Sequence, residues 1–177
     1  LAPTPGVRQQ SYIYFRMGSL YETQLGDLEA ASRAYSRALE LDARCFPALH
    51  GLREIAVNAG HWATVVEYLR RELDLWDEPR ERASVLSRIA EIHEKRMRDR
   101  PRALDYYRQA IAVWPTCLPA ARALADRAFS EGRYEEAHGH FQVLTQQNLD
   151  KMPHKLRAEL LYKRGVVATA LGRQLEA

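Results

Sequence analysis

The sequence predicts an all-α protein built from antiparallel helix pairs, and three observations point to this fold class. Apolar residues recur at the spacing of one helical face, as Ala31, Tyr35 and Ala38 do. Short runs that strictly alternate apolar and polar residues, which would indicate strands, are missing from the sequence. The helical pattern also returns along the chain, since Ala31 and Tyr35 match Ala103 and Tyr107, 72 residues later. An internal repeat of this length predicts a stacked array of helix pairs rather than a closed globule.

The first helix pair shows the local signals of a helix, a turn and a second helix. Tyr14 and Met17 lie on one face of the first helix, Gly26 ends it, and Asp27 is placed to be the N-cap of the second. Equivalent patterns continue to the end of the chain. We predict repeats over residues 12–43, 44–79, 80–115 and 116–150, a partial fifth repeat over 154–177, and an N-terminal extension over 1–11.

The match over 72 residues extends beyond the helices into the turns. It includes Cys45 with Cys117, Pro47 with Pro119, and Gly60 with Gly132. The duplicated unit is therefore two helix pairs, each about 34 to 36 residues long, which is the period of a helical solenoid.

In this pattern the chain resembles the tetratricopeptide repeat family, whose repeats combine small residues, aromatic residues and a turn glycine at fixed spacing. The first and fourth repeats carry the pattern at Gly18, Tyr21, Gly26, Ala31, Tyr35 and Ala38, and at Ala125, Ala128, Gly132, Tyr134, Ala137 and Phe141. The resemblance implies a right-handed superhelical solenoid with about four full repeats and a truncated fifth.

Packing explains why these residue types occur at these positions. We expect a small residue wherever neighbouring helices approach to about 8 to 10 Å, and an aromatic ring in the space beside it. The expected pairs are Ala31 with Tyr35, Ala103 with Tyr107, and Ala137 with Phe141.

The resemblance also implies that the first helix of each pair lines a concave groove, which holds an extended peptide or a partner helix. Carried over position by position, the groove residues are Phe15, Ser19, Glu22, His50, Glu54, Val57, Ser87, Glu91, Glu94, Arg122, Asp126, Phe129, Tyr162, Val166 and Thr169. The set holds five carboxylates and one arginine, so we expect an acidic groove. A basic or mixed peptide would suit it, with Phe15, Phe129 and Tyr162 as apolar anchors.

No catalytic or metal-binding motif occurs in the sequence. His138 and His140 would point about 200° apart on a helix, so they cannot share one metal ion. Cys45 and Cys117 are equivalent residues two repeats apart, roughly 20 Å or more, whereas a disulfide needs Cα atoms within about 7 Å. We therefore expect a noncatalytic protein-interaction scaffold that uses no cofactor, metal or small-molecule substrate.

The net charge of +3, from 26 basic and 23 acidic side chains, does not indicate nucleic-acid or membrane binding. Basic residues concentrate in residues 94–102 and after Lys151, which leaves contact of these segments with nucleic acid or a membrane as an alternative. A second alternative is the regulatory or substrate-recruiting arm of a larger enzyme.

The two ends of the chain also carry expectations. The chain begins without Met and stops within the fifth pair, so we expect a fragment of a longer array, bacterial and cytoplasmic, whose exposed ends could self-associate. No apolar run reaches the roughly 18 residues of a membrane span.

Overall fold

The structure is a computed structural model that describes residues 5–148 and 152–172, with the side chains of residues 147 and 148 left out. Within these ranges all regular elements are helical. The helices are α1 (Pro5–Leu20), α2 (Leu28–Leu41), α3 (Phe46–Asn58), α4 (Trp62–Leu75), α5 (Pro79–Lys95), α6 (Arg100–Val113), α7 (Leu118–Ser130), α8 (Tyr134–Asn148) and α9 (His154–Ala170), and a π-helical turn, Tyr21–Leu25, extends α1. The predicted all-α class is confirmed.

The helices pack as consecutive pairs and form two compact units. Unit 1 is Leu1–Asp77 and contains α1 to α4, and unit 2 is Glu78–Ala177 and contains α5 to α9. The main contacts in unit 1 join α1 to α2, α2 to α3 and α3 to α4. In unit 2 they join α5 to α6, α6 to α7, α7 to α8 and α8 to α9. Helix α1 begins at Pro5, so residues 5–11 of the expected extension are helical, while one superhelical solenoid over residues 12–177 stays a prediction.

The turn between the helices of the first pair in each unit follows the same design. Gly26 adopts a left-handed conformation, with φ of 66°, and Asp27 accepts a hydrogen bond from the backbone N–H three residues later at 2.9 Å. In unit 2, Arg98 takes the left-handed position, with φ of 58°, and Asp99 makes the same capping bond at 3.2 Å. The predicted stop at Gly26 and N-cap at Asp27 are confirmed.

The core of unit 1 is organised around the ring of Tyr35, which is 2% exposed. A Cβ atom built on Gly18 of α1 would lie 2.5 Å from this ring, and one built on Gly51 of α3 would also lie 2.5 Å from it. Both helices therefore approach the ring more closely than any other residue type would allow. The surrounding buried residues are Ala31, Ala38, Ala48 and Leu52.

The core of unit 2 uses the same combination of small residues and rings. Ala103 is 2% exposed beside Tyr107 at 5%, and both Ala137 and Phe141 are fully buried. The predicted pairing of alanine with an aromatic ring is confirmed at all three places. The buried cluster around Phe141 consists of Ala121, Ala125, Ala128, Ala137, Leu144, Leu160 and Val167.

Helices α3 and α4 carry the least regular repeat, and a buried ion pair joins them. Arg53 is only 6% exposed, and its guanidinium donates to the carboxylate of Glu72 at 2.6 Å. Val65 and Leu69, both almost completely buried, take the places where other repeats carry alanine and an aromatic residue.

We predict that Gly51→Ala lowers the free energy of unfolding by about 1–3 kcal/mol, because the new methyl group overlaps the Tyr35 ring and forces helix α3 to move. Gly139→Ala is the matched control, because nothing lies within 4 Å of its Cβ position in α8. The control should gain up to about 1 kcal/mol from helix propensity alone. Urea denaturation followed by circular dichroism measures both changes, and equal stabilisation by the two variants would contradict the packing at Tyr35.

We also predict that Arg98→Gly raises the free energy of unfolding by about 0.5–1 kcal/mol, because glycine adopts a left-handed conformation without the steric cost of a Cβ atom. The reciprocal change in unit 1, Gly26→Arg, should lower it by a similar amount, since only the backbone conformation opposes a side chain there. The same denaturation assay reports both, and a loss of stability in Arg98→Gly is the contrary result.

Candidate functional site

A cleft of about 1070 Å³ opens on the face of unit 2 that is lined by the first helices of its pairs. Helices α5 and α7 supply most of the lining, and α6, α8 and α9 complete it. Ser84, Arg88, Glu91 and Lys95 occur at successive turns of α5, so one face of this helix forms a wall. The apolar part of the lining is contributed by Leu104, Leu118, Ala123, Leu144, Met152 and Leu156.

The charged side chains of the cleft are mixed in sign, with more basic than acidic groups. Three are carboxylates and five are basic, namely Glu91, Glu94 and Asp126 with Arg88, Lys95, Arg100, Arg122 and Arg127. The acidic groove expected from the sequence is therefore not what lines this part of the molecule. The expectation considered only one line of residues along each first helix. Arg88 and Lys95 lie beside that line on α5, and Arg100 belongs to α6, yet all three also line the cleft.

Two carboxylates of the cleft are held by lysines. Glu91 accepts from Lys95 at 2.5 Å, one turn further along α5. Asp126 accepts from Lys163 of α9 at 2.9 Å, while the nearest nitrogen of Arg122 lies 3.7 Å away. Although burial lowers the pKa of Lys163, its bonds to Glu159 and Asp126 raise that pKa overall. The strongest partner of Asp126 thus comes from outside the set of residues that lines the cleft.

Each unit contains one buried tyrosine whose hydroxyl holds a glutamate of the first helix. Tyr35 donates to Glu22 at 2.6 Å, and Tyr107 donates to Glu94 at 3.2 Å, so the same bond recurs after 72 residues. Burial raises the pKa of both tyrosines well above the ordinary value, and the nearby carboxylate raises it further. The bond orients Glu94 at the edge of the cleft.

The residues predicted for the groove in unit 2 divide into two groups. Glu91, Glu94, Arg122 and Asp126 line the cleft together with Ser87. Ser87 is only 5% exposed, however, and donates to the carbonyl of Ala83 at 2.8 Å. It is part of the packed wall and offers little surface to a ligand.

The two aromatic anchors predicted in unit 2 lie apart from the cleft. Phe129 packs edge-on against Phe141, with ring centroids 6.3 Å apart, and also contacts Tyr134. It contributes to the core, because its ring turns towards α8. Tyr162 lies on α9 and is 70% exposed, but it is not among the cleft-lining residues, nor are Val166 and Thr169.

In unit 1 the predicted residues form two local groups. Phe15 and Glu22 gather around Tyr35, with the rings of Phe15 and Tyr35 stacked at 6.1 Å. His50 and Glu54 face each other one turn apart on α3, 3.8 Å between their nearest atoms, and both are partly exposed. The remaining predicted residues of this unit, Ser19 and Val57, are half-buried.

Two interactions that shape these surfaces escaped the sequence analysis. In the 72-residue alignment Arg53 is equivalent to Ala125, which is fully buried. This equivalence indicates that Arg53 also occupies a core position. The bond between Lys163 and Asp126 joins residues 37 apart on different helices, and no local pattern reveals it.

His93 and the two cysteines contribute to packing. His93 is buried and stacks on Tyr106 with ring centroids 5.4 Å apart. Cys45 and Cys117 are free thiols, and the Cys117 sulfur lies 3.2 Å from the Ser87 hydroxyl. In the part of the chain that the structure describes, no three His, Cys, Asp or Glu side chains come together as metal ligands would. No helix within residues 5–148 and 152–172 is both long and apolar enough to cross a bilayer.

Comparisons with known proteins agree with the repeat architecture. Residues 11–45 and residues 85–119 each match a family model of the tetratricopeptide repeat. The chain therefore contains tetratricopeptide repeats. The two matches span the first helix pair of each unit, where the 72-residue repeat is clearest. No curated protein matches the chain significantly.

Several solved structures share the fold of this chain at low sequence identity. YrrB, described as a TPR protein with an unusual peptide-binding site, is 20% identical over 91% of this chain and 77% of its own, with a TM-score of 0.55. PilF of Pseudomonas aeruginosa is 15% identical over 92% and 73%, with a TM-score of 0.60. MamA is 20% identical over 93% and 84%, with a TM-score of 0.57.

The bond from Tyr107 to Glu94 predicts a pH dependence of stability. Tyrosine in the unfolded chain loses its proton near pH 10, whereas folded Tyr107 holds its proton to higher pH. The stabilisation is therefore complete below about pH 10 and is lost as the pH rises further. Urea denaturation between about pH 8 and pH 11 should show a smaller loss in Tyr107→Phe than in the parent. Tyr162→Phe, which removes an exposed hydroxyl, is the control and should match the parent. Equal losses in all three proteins would contradict the raised pKa of Tyr107.

Proposed function

We propose that the chain is a noncatalytic protein-interaction module and that the cleft of unit 2 holds a peptide or a partner helix. The observation that supports this proposal most strongly is the cleft itself. It combines an apolar lining with charged side chains on walls formed by α5 and α7. Apolar contact area surrounded by charged groups suits a peptide, because side chains bury area while the rim fixes orientation. The peptide-binding site ascribed to the structurally similar YrrB supports this proposal.

The acidic surface predicted from the sequence is proposed for unit 1. The predicted positions there include Glu22 and Glu54, and the adjacent Arg53 is buried against Glu72. Unit 1 also carries 10 acidic side chains against 8 basic ones. A basic segment of a partner would suit this surface, with the half-buried Phe15 beside it.

The basic stretch at residues 94–102 favours a protein partner over nucleic acid. Lys95 is paired with Glu91, and the guanidinium of Arg102 lies 3.4 Å from Asp99. Carboxylates among the cations would repel a phosphate backbone, whereas a peptide can match both signs. The basic tail expected after Lys151 lies partly outside the described residues, which end at residue 172.

A substitution that fills the cleft tests the proposed function. Ser84→Trp places a large side chain at an exposed position of the α5 wall, while Ala112→Trp places the same side chain on an exposed part of α6 outside the cleft lining. Peptides are first selected from a phage-displayed random dodecapeptide library on the parent protein. We expect Ser84→Trp to bind the selected peptides at least about tenfold more weakly in fluorescence anisotropy, and Ala112→Trp to match the parent.

A folding control and two contrary outcomes complete this test. Circular dichroism must show the helical content of the parent in both variants, so that lost binding is not lost folding. Selected peptides that bind Ser84→Trp as tightly as the parent, or a selection that enriches no sequence, would contradict peptide binding in this cleft.

A further inference from the structure

The two units of the chain differ in net charge. Unit 1 has 8 basic and 10 acidic side chains, whereas unit 2 has 18 basic and 13 acidic side chains. The small positive charge of the whole chain therefore combines a negative unit with a distinctly positive one. A field of this sign around unit 2 attracts negatively charged ligands and raises their rate of association.

Within the cleft, the carboxylates already have partners in the protein. Glu91 is neutralised by Lys95, and the carboxylate of Glu94 accepts the hydroxyl of Tyr107. Asp126 is held by Lys163, whose ammonium group reaches it from α9. Lys163 lies outside the cleft lining, and its 2.9 Å contact with Asp126 is shorter than the 3.7 Å that separates Asp126 from Arg122 inside the cleft.

Two arginines of the cleft, Arg122 and Arg100, have exposed side chains that can contact a ligand. Arg122 has a side chain 47% exposed, and its nearest nitrogen stands 3.7 Å from Asp126, beyond hydrogen-bonding distance. Arg100 is exposed at the first residue of α6, and no ion pair joins it to a carboxylate among the described residues. The helix dipole disfavours a cation at this end of a helix, so local stability does not account for Arg100.

We propose that the cleft of unit 2 binds an acidic peptide segment, whose Asp or Glu side chains are contacted by Arg100 and Arg122. The proposal rests on the proposed function, because it names the class of peptide that the same cleft selects. A guanidinium group donates two parallel hydrogen bonds to one carboxylate, which gives such contacts both strength and orientation. The apolar lining, including Leu104 and Leu156, takes the uncharged side chains between the acidic ones.

A peptide fits this cleft better than a nucleic acid does. Single-stranded nucleic acid is usually held by exposed aromatic rings on which the bases stack. Tyr107, the aromatic residue in the cleft lining, is only 5% exposed and its hydroxyl is used by Glu94. Glu91 and Glu94 would also face a continuous phosphate backbone, whereas an acidic peptide can place its carboxylates away from them.

The experiment selects phage-displayed random dodecapeptides on the parent protein and on four variants, each shown by circular dichroism to be folded. The variants are Arg100→Gln, Arg122→Gln, Ser84→Trp and Arg108→Gln, of which the last changes an exposed arginine of α6 outside the cleft lining. We expect the selected peptides to be enriched in Asp and Glu over Lys and Arg. We also expect Arg100→Gln and Arg122→Gln each to weaken their binding by about tenfold, and Arg108→Gln to leave it unchanged.

The other outcomes separate this proposal from the proposed function. Selected peptides that bind Ser84→Trp more weakly but are not acidic, or that bind Arg100→Gln and Arg122→Gln as tightly as the parent, would overturn the acidic ligand and keep peptide binding. If no selected peptide binds Ser84→Trp more weakly than the parent, both proposals are overturned. A single-stranded oligonucleotide that binds through Arg100 and Arg122 and displaces the selected peptides would replace the acidic peptide with nucleic acid as the ligand.

Discussion

The close approach of helices to one buried aromatic ring is the constraint on which the rest of the structure depends. Around Tyr35, Gly18 and Gly51 leave no space for a Cβ atom, so the spacing of α1, α2 and α3 is set by the thickness of the ring. In unit 2 the equivalent buried ring, 72 residues later, is that of Tyr107, and alanines, Ala90 and Ala123, stand at the positions of the two glycines. Because the spacing is set in the core, the position of the first helices, and hence of the surface they line, follows from it.

The same ring connects the core to the candidate binding surface. A tyrosine that is locked between helices has a fixed hydroxyl, and this hydroxyl holds Glu22 in unit 1 and Glu94 in unit 2. Phe141 occupies the equivalent position of another repeat and is also fully buried, but a phenylalanine has no hydroxyl with which to hold a carboxylate. The choice between the two aromatic residues therefore changes the polarity of the surface that the first helices line, without changing the fold. A residue of the second helix thus determines whether a glutamate of the first helix is held in place at the surface.

What could be predicted from the sequence depended on how far apart the interacting residues lie. The N-cap of Asp27, the turn at Gly26 and the burial of Ala31 with Tyr35 rest on spacings within one or two turns, and each is visible in a short window. The ion pairs of Arg53 with Glu72 and of Lys163 with Asp126 join different helices. Their partners depend on side-chain reach rather than on spacing, so periodicity alone could not find them. The charge of the cleft differs from the expected one because Arg88, Lys95 and Arg100, which lie outside the considered positions, also line it.

The charge of the chain shows why a binding surface must be judged from the folded units. Along the sequence, the excess of basic over acidic residues is concentrated from Lys151 onwards. The boundary between the compact units lies elsewhere, between Asp77 and Glu78. Divided at that boundary, the chain is a negative unit and a positive unit, and the positive unit contains the cleft. Two of the three cleft carboxylates, Glu91 and Asp126, are paired with Lys95 and Lys163, so the number of carboxylates overstates the negative charge that a ligand meets. Glu94 keeps its charge, because its partner, the Tyr107 hydroxyl, is neutral. Charge that is already paired contributes little to recognition, and the groups that remain available, Arg100 and Arg122, determine which ligand the cleft attracts.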